Sequence, residues 1–328
     1  MAKPSLTVME SQLLAAKART LLGLVDGSSF ETTTRLISLR TTLTALKGSG
    51  ESELFRYFPV AAVAVLETHF KATVQAVVDS GSPYLERGLF LVKDRLKSVS
   101  EFFPILHRST VTVGELVAHQ LPFNSVASLE DALGKLLEAN FKTLIGAAVD
   151  PYVVRSELEE RGTIVENVND LWRDLAETFE RRHVLAHEAA SNYVVTYDHA
   201  DLAIECATKF TSALDAVLWA TVWVDLPLTQ YEMNDDANRR YRESRISLAR
   251  TLREALRVSK ALGNRGSFRT LHRNWREYSK GWAQWEADVF AMNSMRPLIE
   301  ATTHSRLLKA RENDVHDWIS SARPVGAK

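Results

Sequence analysis

Cysteine is nearly absent: Cys206 is the only one in 328 residues. No intrachain disulfide can form, a four-thiolate zinc site is excluded, and a reducing compartment suits the chain. Long hydrophobic runs are missing as well. The most apolar stretches, 58–66 and 216–224, fall far short of the ~20 residues that a membrane-spanning helix requires. The first twenty residues, MAKPSLTVMESQLLAAKART, hold no apolar core of signal-peptide length. These absences lead us to expect a cytoplasmic protein that does not engage a membrane. Strand-like alternation is also scarce. A short strand-like piece at 193–196 does not change the expected class, which is all-α.

What is present is ordinary globular material, with 45% hydrophobic and 25% charged residues in a chain long enough for two cores. A net charge of −1 hides an asymmetry. Residues 1–225 carry 21 Lys+Arg against 29 Asp+Glu, and the remainder carries 19 against 12, so the two parts stand at −8 and +7. A split of that size suggests two units, the second able to attract an anionic partner or an acidic surface.

Helical periodicity predicts helices near 5–24, 30–47, 52–78, 83–94, 128–146, 166–189 and 198–224, with Asp198 as N-cap of the last. Turn-forming clusters separate them, among them Gly48-Ser49-Gly50, Gly81-Ser82-Pro83 and Asp150-Pro151. After Leu226-Pro227 comes a long Arg-rich amphipathic stretch, 228–262, then helices to about 291 and over 296–320. Four of the seven tryptophans, Trp275, Trp282, Trp285 and Trp318, fall there at helical spacing and are expected in the core. The expected organisation is a helical extension over 1–49, a helical domain over 50–226 and a smaller basic helical domain over 227–328.

Chemistry concentrates on the 166–189 helix. Val168, Leu171, Trp172, Leu175 and Phe179 form one apolar stripe, which at about 100° per residue continues through Arg182 and Ala186. A guanidinium thus occupies a position where the pattern calls for a core residue, and it needs a carboxylate, a phosphate or a wet cleft. His183 and His187 flank that stripe. A second misplaced charge, Glu67, interrupts the stripe of Val63, Phe70 and Val74 on the 52–78 helix. Glu67 and Arg182 are expected to lie together, either as a structural ion pair or as the lining of one site.

The spacing from Arg182 to His187, R-x-x-x-x-H with a polar residue straight after the arginine, resembles the signature of the HEPN superfamily. So does its setting in LAETFERRHVLAHEAASNYVV, at the end of a long helix before a short turn and a closing helix. Many members carry Asn after the histidine, where this chain has Glu188, with Asn192 farther on. The resemblance covers about 50–225. It implies a HEPN-like helical bundle and an endoribonuclease that needs no metal or cofactor, with Arg182 and His187 catalytic and His183 auxiliary; Glu67 is added as auxiliary from its own place in the stripe. Imidazole can exchange a proton near neutral pH, and a guanidinium can hold a phosphate bidentately. The resemblance further implies 2′,3′-cyclic phosphate ends, a homodimer with facing motifs, and a role as a toxin or anti-phage effector beside an antitoxin or defence partner. Some HEPN domains instead serve as binding modules without catalysis.

Two other readings of the histidines stay open. His183-x-x-x-His187 has the spacing of zinc ligands, although Val184 stands where a zincin has Glu, and only Glu188 or His199 offers itself as a third ligand. Both histidines could also be merely structural at a helix end. The C-terminal part, through Leu228-Thr229-Gln230-Tyr231-Glu232-Met233-Asn234, Ala237, Tyr241, Trp275-x-x-Tyr278, Ser294-Met295 and Arg311, resembles the lysozyme-inhibitor LprI-like family. That family is exported and cross-linked. Here Asp236 and Trp282 stand where two of its cysteines belong, and lysozyme inhibition does not carry over because a protein expected in the cytoplasm would not meet that target.

Overall fold

The computed structural model describes residues 29–49, 52–93, 111–156, 162–188 and 192–322. The helix expected over 5–24 lies outside these. The fold is all-α, as expected. Among the described residues the nearest approach to a sheet is one isolated antiparallel bridge, Val149 to Thr163. No helix there is long and apolar enough to cross a membrane. The chain divides into two compact units, Met1–Val224 and Asp225–Lys328.

Among the described residues of the first unit the helices are α1 (Ser29–Ala45), α2 (Ser52–Phe55), α3 (Tyr57–Asp79), α4 (Tyr84–Val92), α5 (Val113–Gln120), α6 (Val126–Leu137), α7 (Phe141–Gly146), α8 (Pro151–Arg155), α9 (Val168–His187) and α10 (Tyr197–Thr221). At the centre lies α3, packed against α1, α4, α5, α9 and α10. It is apolar almost all round, as a helix surrounded by others must be. Phe58, Ala62, Val63, Leu66, Phe70 and Val74 are all buried. Rings knit the neighbours together. Phe210 of α10 lies 5.3 Å from Phe70, 5.8 Å from Trp172 and 6.1 Å from Phe141, with the Trp172 indole N–H donating to Glu130 at 2.9 Å. Leu36, Leu39 and Leu43 of α1 belong to the same core.

Local chemistry explains where the elements start and stop. The helix expected over 52–78 is broken at Arg56, because the ring of Pro59 excludes the carbonyl four residues before it, that of Phe55. The helix expected over 128–146 is two helices. Glu138 takes a left-handed conformation, Ala139 N–H returns to Gly134 O, and Asn140 caps α7. The N-cap of α10 is Thr196 rather than Asp198, in a capping box with His199. Residues 193–196 run without helix or strand structure, and Val195 is buried. Two helices went unforeseen, α5 and α8. Thr112 and Glu115 form a capping box that starts α5, and Asp79 of α3 accepts from Gly114 N–H at 2.8 Å. At Gly114 a Cβ would collide with the Gln75 carbonyl, so glycine permits this close helix crossing.

The second unit is three long helices, α11 (Gln230–Ala261), α12 (Arg265–Asp288) and α13 (Arg296–Ala322). Thr229 and Glu232 box the start of α11. Its interior is rich in small residues, Ala237, Ser244 and Ala255 from α11, Ser279, Ala283 and Ala287 from α12, Ala301 and Ser305 from α13, with the larger Leu248, Val315 and Ile319 buried among them. The Ser244 and Ser305 hydroxyls meet at 2.9 Å, and Glu312 accepts from Ser247 at 2.6 Å. The expectation for the tryptophans needs correction. Trp275 and Trp318 are partly buried, but Trp282 and Trp285 lie on the outside at 39% and 65% exposure. The face of α12 turned inward is the 279–283–287 row of small residues, and helical periodicity cannot say which of two rows meets a neighbour.

Candidate functional site

Asn167 caps the start of α9, accepting from the N–H groups of Asn169 and Asp170. From there the apolar stripe seats the helix. Leu171, Leu175 and Phe179 are buried, Val168 and Trp172 pack on the core edge, and Thr178 is fully enclosed. The last turn departs from the pattern. Ala186, although in register, is exposed, as are His183 and His187, so the stripe ends on a surface. Glu188 is extended and closes the helix immediately after His187.

Arg182 and Glu67 come together as the two interrupted stripes suggest, with α9 packed on α3. The Arg182 Nη2 lies 3.4 Å from Glu67 Oε1, and each side chain keeps 28% exposure. This is a long, half-wet ion pair, not a buried one. Its charges are screened, and one partner can swing away at small cost. His183 meets His187, ring centres 5.0 Å apart and tilted by 55°. His199, a conceivable third zinc ligand, is engaged in the α10 capping box. Among the described residues, no group of three or more His, Cys, Asp or Glu is placed to hold a metal ion.

Sequence reading missed two neighbours of the site. Arg181 is the more buried arginine of the pair, at 12% exposure. Its Nη2 donates to Glu177 at 3.0 Å, while Nη1 is enclosed without a hydrogen-bond partner. The Glu177–Arg181 spacing of four was the available signal. The other is His69, two residues beyond Glu67 and fully buried. Its Nδ1 lies 3.0 Å from Thr32 Oγ1, and its Nε2 lies 3.4 Å from Asp215 Oδ1 without the alignment of a hydrogen bond. It ties α1, α3 and α10 together, on a side of α3 roughly 200° around the helix from Glu67. Cys206 offers no nucleophile. Burial pushes its thiol up to about 12, and Sγ donates to the Ala203 carbonyl.

The site therefore offers, at the surface end of one helix, two exposed imidazoles and a guanidinium on a loose carboxylate tether. Those groups can exchange protons and bind an anion. Comparison of the chain with protein-family models, with curated proteins and with solved structures returns no match.

Proposed function

We propose that the chain is a metal-independent endoribonuclease of HEPN type that works at the end of α9. The observation that carries this reading is Arg182: a guanidinium in a core register, held 3.4 Å from Glu67, five residues before an exposed histidine that ends the helix. In this reading Arg182 turns from Glu67 to the non-bridging oxygens of a scissile phosphate and stabilises their growing charge. His187 accepts the proton of the ribose 2′-hydroxyl. The 2′-oxygen bonds to phosphorus, the bond to the 5′-oxygen breaks, and that oxygen takes a proton from water, to which His187 returns the one it accepted. The products are a 2′,3′-cyclic phosphate and a 5′-hydroxyl. His183 helps to position the RNA beside His187.

Helix geometry favours a homodimer for this chemistry. Residues five apart point roughly 140° apart around an α-helix. Arg182 and His187 of one copy diverge, and a phosphate is held more readily between Arg182 of one copy and His187 of its twofold mate. A role as toxin or anti-phage effector, restrained by a protein partner, belongs to the same proposal and rests on the family resemblance. One observation favours a second reading. Glu67 already compensates Arg182, so the pair could serve only to join α3 and α9 in a HEPN-like interaction module without catalysis.

Incubation of the purified chain with total RNA in EDTA, followed by mapping of the cut ends, tests the proposal. The ribonuclease reading expects discrete cuts with cyclic-phosphate and 5′-hydroxyl ends. Intact RNA supports the interaction module, and cutting that appears only when zinc is restored supports the metal reading.

A further inference from the structure

The three helices of the second unit line an open groove of about 700 Å³, within the range of pockets that hold small organic ligands. Four cations line it, Arg245, Arg273, Arg276 and Lys280, against one carboxylate, Glu277. None of the four forms an ion pair among the described residues, although elsewhere in this unit arginines such as Arg239, Arg240 and Arg296 do. Cations gathered without counter-charges repel one another, and an arrangement of this kind is relieved by an anion.

Flat rings stand at two places in the groove. His272 stacks on Trp275 at 5.6 Å, with the Arg311 guanidinium 5.8 Å from the indole; Tyr241 stacks on His304 at 5.1 Å, with Arg245 5.5 Å from the phenol ring. Two polar atoms here, Nδ1 of His272 and Nε of Arg311, are enclosed and have no hydrogen-bond partner in the protein. Both imidazoles are held below their ordinary range. For His272 the causes are burial, then Arg311 and Arg276. For His304 burial dominates, Arg245 and Lys280 add to it, and Glu300 opposes it.

We infer that this groove is a binding site for a nucleoside polyphosphate, its phosphates among Arg245, Arg276 and Lys280 and its base against the rings of the groove. The inference is independent of the ribonuclease reading, since it uses no residue of the first unit. A bound polyphosphate favours the charged form of both imidazoles, so binding takes up protons and tightens as pH falls below neutrality. High salt weakens it.

Titration of the full chain with ATP and GTP, followed by tryptophan fluorescence and calorimetry, tests this, with adenosine, pyrophosphate and a single-stranded RNA 20-mer as separate probes. Saturable binding of a nucleotide, tighter than that of pyrophosphate, and absent for adenosine, is expected. Arg245→Glu and Arg276→Glu should each weaken it by roughly tenfold or more, as loss of a charge-assisted hydrogen bond does. Arg253→Glu, an exposed change of equal charge outside the groove, should leave it unchanged, with circular dichroism confirming the fold of all three variants. No saturable binding, equal affinity for pyrophosphate and nucleotide, binding of the RNA alone, or an equal loss in Arg253→Glu would each overturn the inference.

Discussion

The two units stabilise helix packing in different ways. In the first, large rings and aliphatic chains fill the space between helices. Phe70, Phe141, Trp172 and Phe210 meet in one cluster, and Arg182 and Glu67 pair at its edge. In the second, alanines and serines let three helices approach closely, while Trp282, Trp285 and the groove arginines face outward. A ring-filled core buries much apolar area and defines one arrangement. A core richer in small residues, with only a few chains such as Leu248, Val315 and Ile319 among them, buries less apolar area and leaves more of the large side chains at the surface. The two proposed sites accordingly differ: one is the end of a well-anchored helix, the other a groove between helices.

Core truncation should break the comparison most visibly. Phe210→Ala removes a ring that contacts three others and should cost about 3–5 kcal/mol in chemical denaturation. Enlargement rather than truncation is the sensitive change in the second unit. Ala283→Leu should cost about 1–3 kcal/mol by overpacking, whereas Trp285→Ala on its surface should cost little. A second unit that tolerates Ala283→Leu as readily as Trp285→Ala does not have the core described.

The polar ties of α3 come next. His69→Ala should cost roughly 1–3 kcal/mol, since it leaves the buried Thr32 hydroxyl without that contact. Glu67→Ala should cost only about 1 kcal/mol, because its pair with Arg182 is long and half exposed. A loss for Glu67→Ala larger than for His69→Ala would mean that the pair is buried in solution.

Opposite pH responses sharpen the contrast further. The imidazoles of His272 and His304 sit below their ordinary value in the fold, so the stability they confer is present above about 6.5 and is lost as pH falls through the lowered values. The Cys206 thiol is raised to about 12, so its contribution is complete below the unfolded thiol value and fades as pH rises toward 12. Denaturation at pH 7 and pH 5 should show a smaller acid loss in His272→Ala/His304→Ala than in the wild type. Identical acid losses would contradict the burial of these rings. Cys206 should resist a thiol reagent at pH 8 until denaturant is added, and immediate labelling of the native chain would contradict its enclosure.

Much of the α9 site was legible because a 3.6-residue period exposes misfits: a charge in an apolar row stands out in the sequence itself. Arg182 and Glu67 were found that way, and their pairing followed from the need of each for a counter-charge. Four features were not legible. The outward face of α12 was mistaken for core because small residues at 279, 283 and 287 form an equally regular row. The helix α5 was overlooked because it is short, though Thr112-x-x-Glu115 marks its start. Neither His69 nor the cationic groove could be read, since both depend on which helices meet, and spacing along the chain does not contain that.

In the proposed function Arg182 and His187 act together on RNA, across two copies of the chain. Cleavage of a defined RNA in EDTA should be measured for Arg182→Ala, for His187→Ala, and for the two variants unfolded together, refolded and mixed in equal amounts. Each variant alone should cut about 10²–10⁴-fold more slowly than the wild type, the contribution usual for a positioned acid or base. The mixture should regain roughly a quarter of wild-type activity, because half of its dimers are mixed and each of those holds one intact composite site. Wild-type cleavage by either variant alone, or RNA left whole by the wild-type chain, would contradict it.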